Sequence, residues 1–282
     1  MGRCRLLNNK NRKSRKRAAA ICLCSLSLLL CGCAASERPE AGPGSDKNAS
    51  DLADAVADAA AKQASPENSP GNPNDSDATA MPVQPARGTK QPIPEQIRQE
   101  MAGVSMPEGA AVAYDDLSYL TIPHYDYSGA VTEGHMIVDA ELADEVLDIF
   151  EELFLIRFQI EKMEIIDRFQ PYINETFDNL DRASMSQNNT SAFCYRVVNG
   201  TSTLSYHARG RAIDINPKIN PYCIPETGYV SPANAYAYAD RSQDWPGIIR
   251  RDDAVYHAFV SRGWEWGGDW ASEKDYQHFQ KP

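Results

Sequence analysis

The chain has 282 residues and a formal net charge of −11 at neutral pH. Its first 32 residues carry eight of the 28 basic side chains and no acid, which leaves 20 basic against 39 acidic residues in 33–282, a net charge of −19. That balance argues against nucleic acid as a partner, because neutralising phosphates needs a basic footprint; it bears on solubility and partner choice, not on fold.

The chain opens on a basic run, RCRLLNNKNRKSRKR, followed by AAAICLCSLSLLLCG. An apolar core of about 15 residues is short for a membrane-spanning helix, which needs roughly 20, and fits an export signal. The exit, LCGC at Leu30–Cys33, resembles the lipobox of bacterial lipoproteins, in which the last cysteine is acylated and becomes the new N-terminus. Residues 1–32 are therefore expected to be a lipoprotein signal peptide and Cys33 the lipidation site. The protein would be exported and lipid-anchored to the bacterial cell envelope. Four of the seven cysteines would leave with the signal, and Cys33 would carry lipid. Cys194 and Cys223 remain as a candidate disulfide, because disulfides persist in an oxidising compartment; two free buried thiols is the other reading.

Residues 33–94 are rich in Ala, Pro, Ser, Asn, Asp and Gly and poor in large apolar side chains. Such a segment cannot bury enough surface to offset its ordering entropy and reads as a disordered linker. A flexible coil of that length has ends about 40–50 Å apart, a reach suited to a tethered domain. Within it, DLADAVADAAAKQA has the composition of a transient helix without a face to bury.

From residue 95 the texture changes. GHMIVD (134–139) reads as a strand. AELADEVLDIFEELF (140–154) reads as a helix capped by Asp139, because Leu142, Val146, Ile149, Phe150 and Leu153 recur at the helical period. EKMEIID (161–167), RAIDI (211–215) and GWEWGGDW (263–270) read as short strands. In the last, Trp264 and Trp266 alternate as core residues and Gly267-Gly268-Asp269 forms a turn. DDAVYHAFVSR (252–262) reads as a second helix, with Ala254, Val255, Ala258 and Phe259 on one face. Helices and strands mixed without a βαβ rhythm give an α+β class: a single compact domain over 95–282, with a small, mainly antiparallel sheet and flanking helices.

Of the five histidines, His124, His135 and His257 have no partner at ligand spacing and read as packing or surface residues. His207 and His278 differ, because each has a carboxylate nearby: Asp214 in SYHARGRAIDIN and Asp275 in KDYQHFQ. A catalytic zinc site takes three ligands from His and Asp/Glu and leaves one position open. The fourth residue is then available as a general base. On spacing alone either aspartate could be the ligand. Gly210 permits a turn between His207 and the strand. Ala212 and Asp214 share one face of that strand, pointing to a cleft that the small Ala212 keeps open, and Ile213 and Ile215 take the core face.

SYHARGRAIDIN followed downstream by KDYQHFQ resembles the signature of the zinc D-alanyl-D-alanine carboxypeptidases and L-alanyl-D-glutamate endopeptidases of bacterial cell walls. NNTSAFCYR (188–196), INPYC (219–223), YADRS (238–242) and GWEWGGDW occur in the same order as in that family. The resemblance implies that His207, Asp214 and His278 bind Zn2+, that Asp275 is the catalytic acid/base, and that Arg196 stabilises the oxyanion. It implies a monomeric peptidase acting on peptidoglycan peptides and held at the membrane through its lipid anchor. Asp275 stands where carboxypeptidase relatives often have Glu, which tilts the bond toward L-Ala–D-Glu. A non-catalytic wall-binding module that keeps the fold and the metal site is the alternative; it has no need of a spare carboxylate at Asp275.

Overall fold

The computed structural model describes residues 85–198 and 200–282. The signal segment, the lipobox with Cys33 and the Ala-rich 51–64 stretch lie outside the described residues.

The first strand, β1 (Thr89–Pro92), pairs antiparallel with the first strand of a hairpin. β1 and the buried Ile93 both lie inside 33–94, the segment read as linker. A short helix, α1 (Glu95–Met101), follows, with Ile97 and Met101 buried. The hairpin itself is β2 (Leu117–Tyr125) and β3 (Val131–Asp139), in register from Leu117 opposite Asp139 to Tyr125 opposite Val131. Its turn is organised by the Asp126 carboxylate, which accepts the backbone N–H groups of Ser128 and Ala130. Alternation sends Leu120, Ile122, Met136 and Val138 to the main core, while Leu117, Tyr119 and Ile137 join α1 in a smaller one.

The amphipathic helix forms as α2 (Ala143–Leu155), and every residue of its expected apolar face is buried. Its start differs. Leu142 occupies the N-cap, whereas the Asp139 carboxylate accepts from the backbone N–H of Glu141 and from Arg211 at 3.0 Å. Asp139 therefore ties the hairpin to the metal-motif strand instead of capping the helix.

EKMEIID is strand only at β4 (Lys162–Met163), which pairs parallel with β5 (Asn189–Thr190). It then winds into a 3-10 helix, Ile166–Tyr172, because Ile165, Ile166 and Phe169 bury at helical spacing, not in alternation. Helix α3 (Leu180–Ser186) lies between, capped by Asn179, which accepts the N–H of Arg182. RAIDI forms β6 (Ala212–Asp214). A second small antiparallel sheet holds β7 (Tyr222–Ile224) and β8 (Tyr229–Ser231). The second helix is α4 (Ala254–Val260), capped by Asp253; Val255, Ala258 and Phe259 are buried but Ala254 is exposed. GWEWGGDW yields β9 (Glu265–Trp266) and the expected glycine turn. The chain closes with β10 (Lys274–Asp275), paired to β7, and β11 (His278–Gln280), which lies between β6 and β9. The α+β class holds, with its mainly antiparallel pairing divided among several small sheets.

Gly210 is fixed by two constraints. Its φ of 68° is left-handed, and a Cβ there would lie 2.4 Å from the backbone N of Asp139. Its carbonyl accepts that same N–H at 2.9 Å. The turn presses flat onto β3, so no side chain fits. Gly210→Ala should lower the free energy of unfolding by about 2 kcal/mol or more, read as a lower urea midpoint; an unchanged midpoint would contradict the close packing.

Candidate metal centre

The site is assembled from three pieces of chain. Asp214 and His278 face each other directly across the β6–β11 pair, with Ile213 opposite Phe279 and Ala212 opposite Gln280. On its other side Asp214 exchanges both backbone hydrogen bonds with Ser191. His207 begins the turn that Gly210 closes, and its carbonyl accepts the N–H of Cys194. All three side chains are buried, the most exposed being His278 at 8 %. Ile213 and Ile215 are fully buried in the main core and anchor the strand as expected. Ala212 is also fully buried, so it does not border an open cleft. Its small side chain instead lies opposite Gln280.

Hydrogen bonds set which ring nitrogens carry protons. His207 Nδ1 lies 2.6 Å from the Ala192 carbonyl oxygen, which can only accept. That leaves the Nε2 lone pair free. His278 is oriented the opposite way round: its Nε2 donates to Gln280 Oε1 at 3.1 Å. The Gln280 amide cannot flip without loss, because its Nε2 donates to Glu265 at 2.8 Å. The lone pair of His278 therefore sits on Nδ1. His207 Nε2 and His278 Nδ1 approach to 3.1 Å, and the two oxygens of Asp214 lie 3.3 Å from the first and 3.0 Å from the second.

Two imine lone pairs and a carboxylate aimed at one buried point would repel unless a positive charge sits among them. Burial alone would lower the pKa of His278, yet the hydrogen bond and charge of Asp214 push it up to about 9. Burial would raise Asp214, but His207 and His278 hold it far below the usual carboxylate range. Both directions say that this point favours positive charge. The three residues offer ligand atoms all within 4.8 Å of one another. The pairwise separations are close to the edge of about 3.3 Å expected between ligands at zinc bond lengths in a tetrahedron. Two imidazole nitrogens and one carboxylate are also the donor set that suits zinc. The residues fit such an ion.

Asp275 stands apart from this cluster on β10 and is partly buried. Desolvation is the main cause that raises its pKa to about 6; the charge of His278 opposes and that of Asp214 adds. Gln277 donates to its Oδ1 at 2.9 Å. A Cβ on Gly267 would lie 2.7 Å from the Asp275 Cβ, so the glycine of GWEWGGDW leaves room for this carboxylate. Arg196 pairs with Asp181 at 3.2 Å. The charge of Asp181 is the main cause holding the guanidinium protonated, and Asp214 and Asp275 act on it in the same sense. Its Nε–H is buried without an acceptor among the described residues.

The candidate bridge is not made: Cys194 and Cys223 are both free, buried thiols. Desolvation drives the Cys194 thiol well above its normal range and raises Cys223 to about 11, so neither is a ready thiolate. His124 is buried on β2, His135 stacks on Tyr119 and His257 is exposed on α4; none joins the cluster. Trp264 and Trp266 belong to the core, and Trp270 lies 5.5 Å from the His278 ring. Sequence reasoning did not single out Ala192, Gln280, Glu265 or Asp181. Gln280 follows His278 by two residues on the same strand face, which was a readable signal; the other three reach the site by chain reversal.

Residues 199–281 match a family model described as D-alanyl-D-alanine carboxypeptidase. The matched segment contains His207, Asp214, Asp275 and His278 and stops short of Arg196. It supports the resemblance to the zinc peptidases and thus a peptidase. No curated protein and no solved structure shows significant similarity to the chain.

Removing the Gln280 amide frees the His278 ring to turn. Gln280→Ala should weaken zinc binding about 10–100-fold with the fold retained, measured by competition against a chromophoric chelator. Undiminished affinity would mean that the amide does not orient the ligand.

Proposed function

We propose that the chain is a zinc-dependent peptidase that hydrolyses peptide bonds in peptidoglycan stem peptides. The observation that carries this reading is the buried His207–Asp214–His278 cluster with a further carboxylate, Asp275, on the neighbouring strand outside it. His207, Asp214 and His278 would hold the zinc ion. A zinc ion held there supplies polarisation of the scissile carbonyl and acidification of the attacking water. Asp275 accepts the proton of that water and returns it to the departing amine. Arg196, fixed by Asp181 and with an unspent N–H, meets the negative charge that develops on the carbonyl oxygen. Asp275 also weighs against a pure binding module, which would gain nothing from burying a spare carboxylate.

Two bonds remain in competition. The description of the matched family favours release of a terminal D-Ala, whereas an aspartate at 275 favours cleavage between L-Ala and D-Glu. We propose in addition that residues 1–32 export the chain and that Cys33 tethers it to the envelope membrane by lipid, the linker giving the domain its reach to the wall.

Incubation of the full chain with defined muropeptides, followed by mass spectrometry, should show chelator-sensitive cleavage, and the fragment masses identify the bond. Asp275→Ala should slow it by about 10²–10⁴-fold with zinc still bound, and Arg196→Gln by about a hundredfold or more. Cleavage indifferent to chelator, or none by folded, zinc-loaded protein, would sink the peptidase reading. In cells, Cys33→Ser should abolish palmitate labelling and release the chain from the membrane fraction; unchanged labelling would exclude Cys33 as the anchor.

A further inference from the structure

A cavity of about 450 Å³ lies behind the strand that carries Asp275. Side chains alternate along β10 and its continuation, so Lys274 and Tyr276 face one way and Asp275 the other. The cavity is lined on the Lys274 and Tyr276 side, and none of the three metal-cluster residues borders it. Its size falls within the range of small-molecule sites, roughly 300–1,000 Å³.

Its charge is unusual for this chain. Arg241, Arg250, Arg251 and Lys274 all line it, against a single acid, Asp269. Residues 33–282 carry almost twice as many acids as bases, 39 against 20, so four cations around one cavity invert the surrounding balance. Arg251 spends its charge on Asp269 at 2.8 Å, and Arg250 pairs with Asp244, which is 91 % exposed. Arg241 and Lys274 have no carboxylate partner among the described residues. The Arg241 guanidinium donates only to neutral oxygens: the carbonyls of Ile219, Tyr238 and Ile249 and the amide oxygen of Asn220. It is stacked over the Tyr276 ring at 4.5 Å. Lys274 reaches the carbonyls of Gly268 and Trp270. Burial is the main cause that depresses Arg241 to about 10, and the charge of Arg250 pushes the same way. A partly desolvated cation without a counter-ion is costly, and these neutral acceptors hold the guanidinium in place without neutralising it.

We propose that this cavity binds an oxyanion, a carboxylate or a phosphate group, whose carbon skeleton packs on Trp266 and Tyr276. Four of the five N–H groups of Arg241 are spent on those neutral oxygens, so it supplies a fixed, uncompensated positive charge on an aromatic face, with Nε–H left for one ligand oxygen. Lys274 and Arg250 add charge from the rim, and the indole and phenol rings give an apolar wall. The site is independent of the peptidase reading, because it needs neither a metal ion nor Asp275.

The test is calorimetric titration of the full chain, stripped of metal, with inorganic phosphate and separately with N-acetyl-D-alanine. Arg241 itself is left intact, because its bonds tie three segments together and its loss could unfold the protein. At least one probe should bind saturably and more weakly as sodium chloride is added. Lys274→Gln and Arg250→Gln, each checked for an unchanged melting curve, should each weaken that binding by about tenfold. Binding of phosphate alone would assign the site to a phosphate-bearing ligand; binding of the acetylated amino acid alone, to a peptide carboxylate. No saturable binding of either probe, or binding that both variants leave intact, would overturn the proposal.

Discussion

The direct pairing of Asp214 with His278 across β6 and β11 is the constraint on which the candidate site depends. Antiparallel pairing brings these two residues, 64 positions apart in sequence, into one buried point. A slip of one residue would turn each side chain to the opposite face. Ile213, Ile215 and Phe279, fully buried in the main core, make such a slip prohibitive. The same apolar contacts that stabilise the fold thus set the geometry of its most polar cluster. His207 is added by a turn that only glycine can close, because the Gly210 backbone lies against β3.

Around this point the protein has settled proton positions in advance. The Ala192 carbonyl and the Gln280 amide give the two histidines opposite tautomers, and both lone pairs converge. Glu265 holds Gln280 in turn. A ring that must choose its tautomer on binding an ion loses affinity to reorientation; here the choice is made by groups outside the three-residue cluster. Asp275 is kept out of the cluster by the two-residue turn that separates β10 from β11.

Much of this was legible in sequence, and for a physical reason. His207 and His278 stood out because each has an aspartate at short range, Asp214 and Asp275, where the other histidines have none at ligand spacing. Helix α2 was legible because it carries a long, strongly periodic apolar pattern, and β3 in part because GHMIVD is a short apolar run ending at an aspartate. What spacing left open was which aspartate joins the two histidines, and the strand register places Asp214 opposite His278 in the β6–β11 pair and leaves Asp275 outside it. The misread elements are short. EKMEIID has strand-like composition but buries Ile165, Ile166 and Phe169 against other elements as a helical turn. Asp139 has the chemistry of an N-cap but is taken by Arg211, 72 residues away. Thr89–Pro92 sits in linker-like sequence and becomes a strand only because β2 offers it an edge. Contacts made at such separations leave no local trace, and so Ala192, Glu265 and Asp181 were invisible beforehand.

The most direct measurement is long-range nitrogen–proton correlation NMR on the zinc-loaded full chain, labelled with 15N in histidine. Opposite tautomers are predicted: His207 protonated at Nδ1 and bound through Nε2, His278 protonated at Nε2 and bound through Nδ1. The same tautomer at both rings, or ring nitrogens unmoved by zinc, would contradict the convergence of lone pairs from which the metal centre is argued.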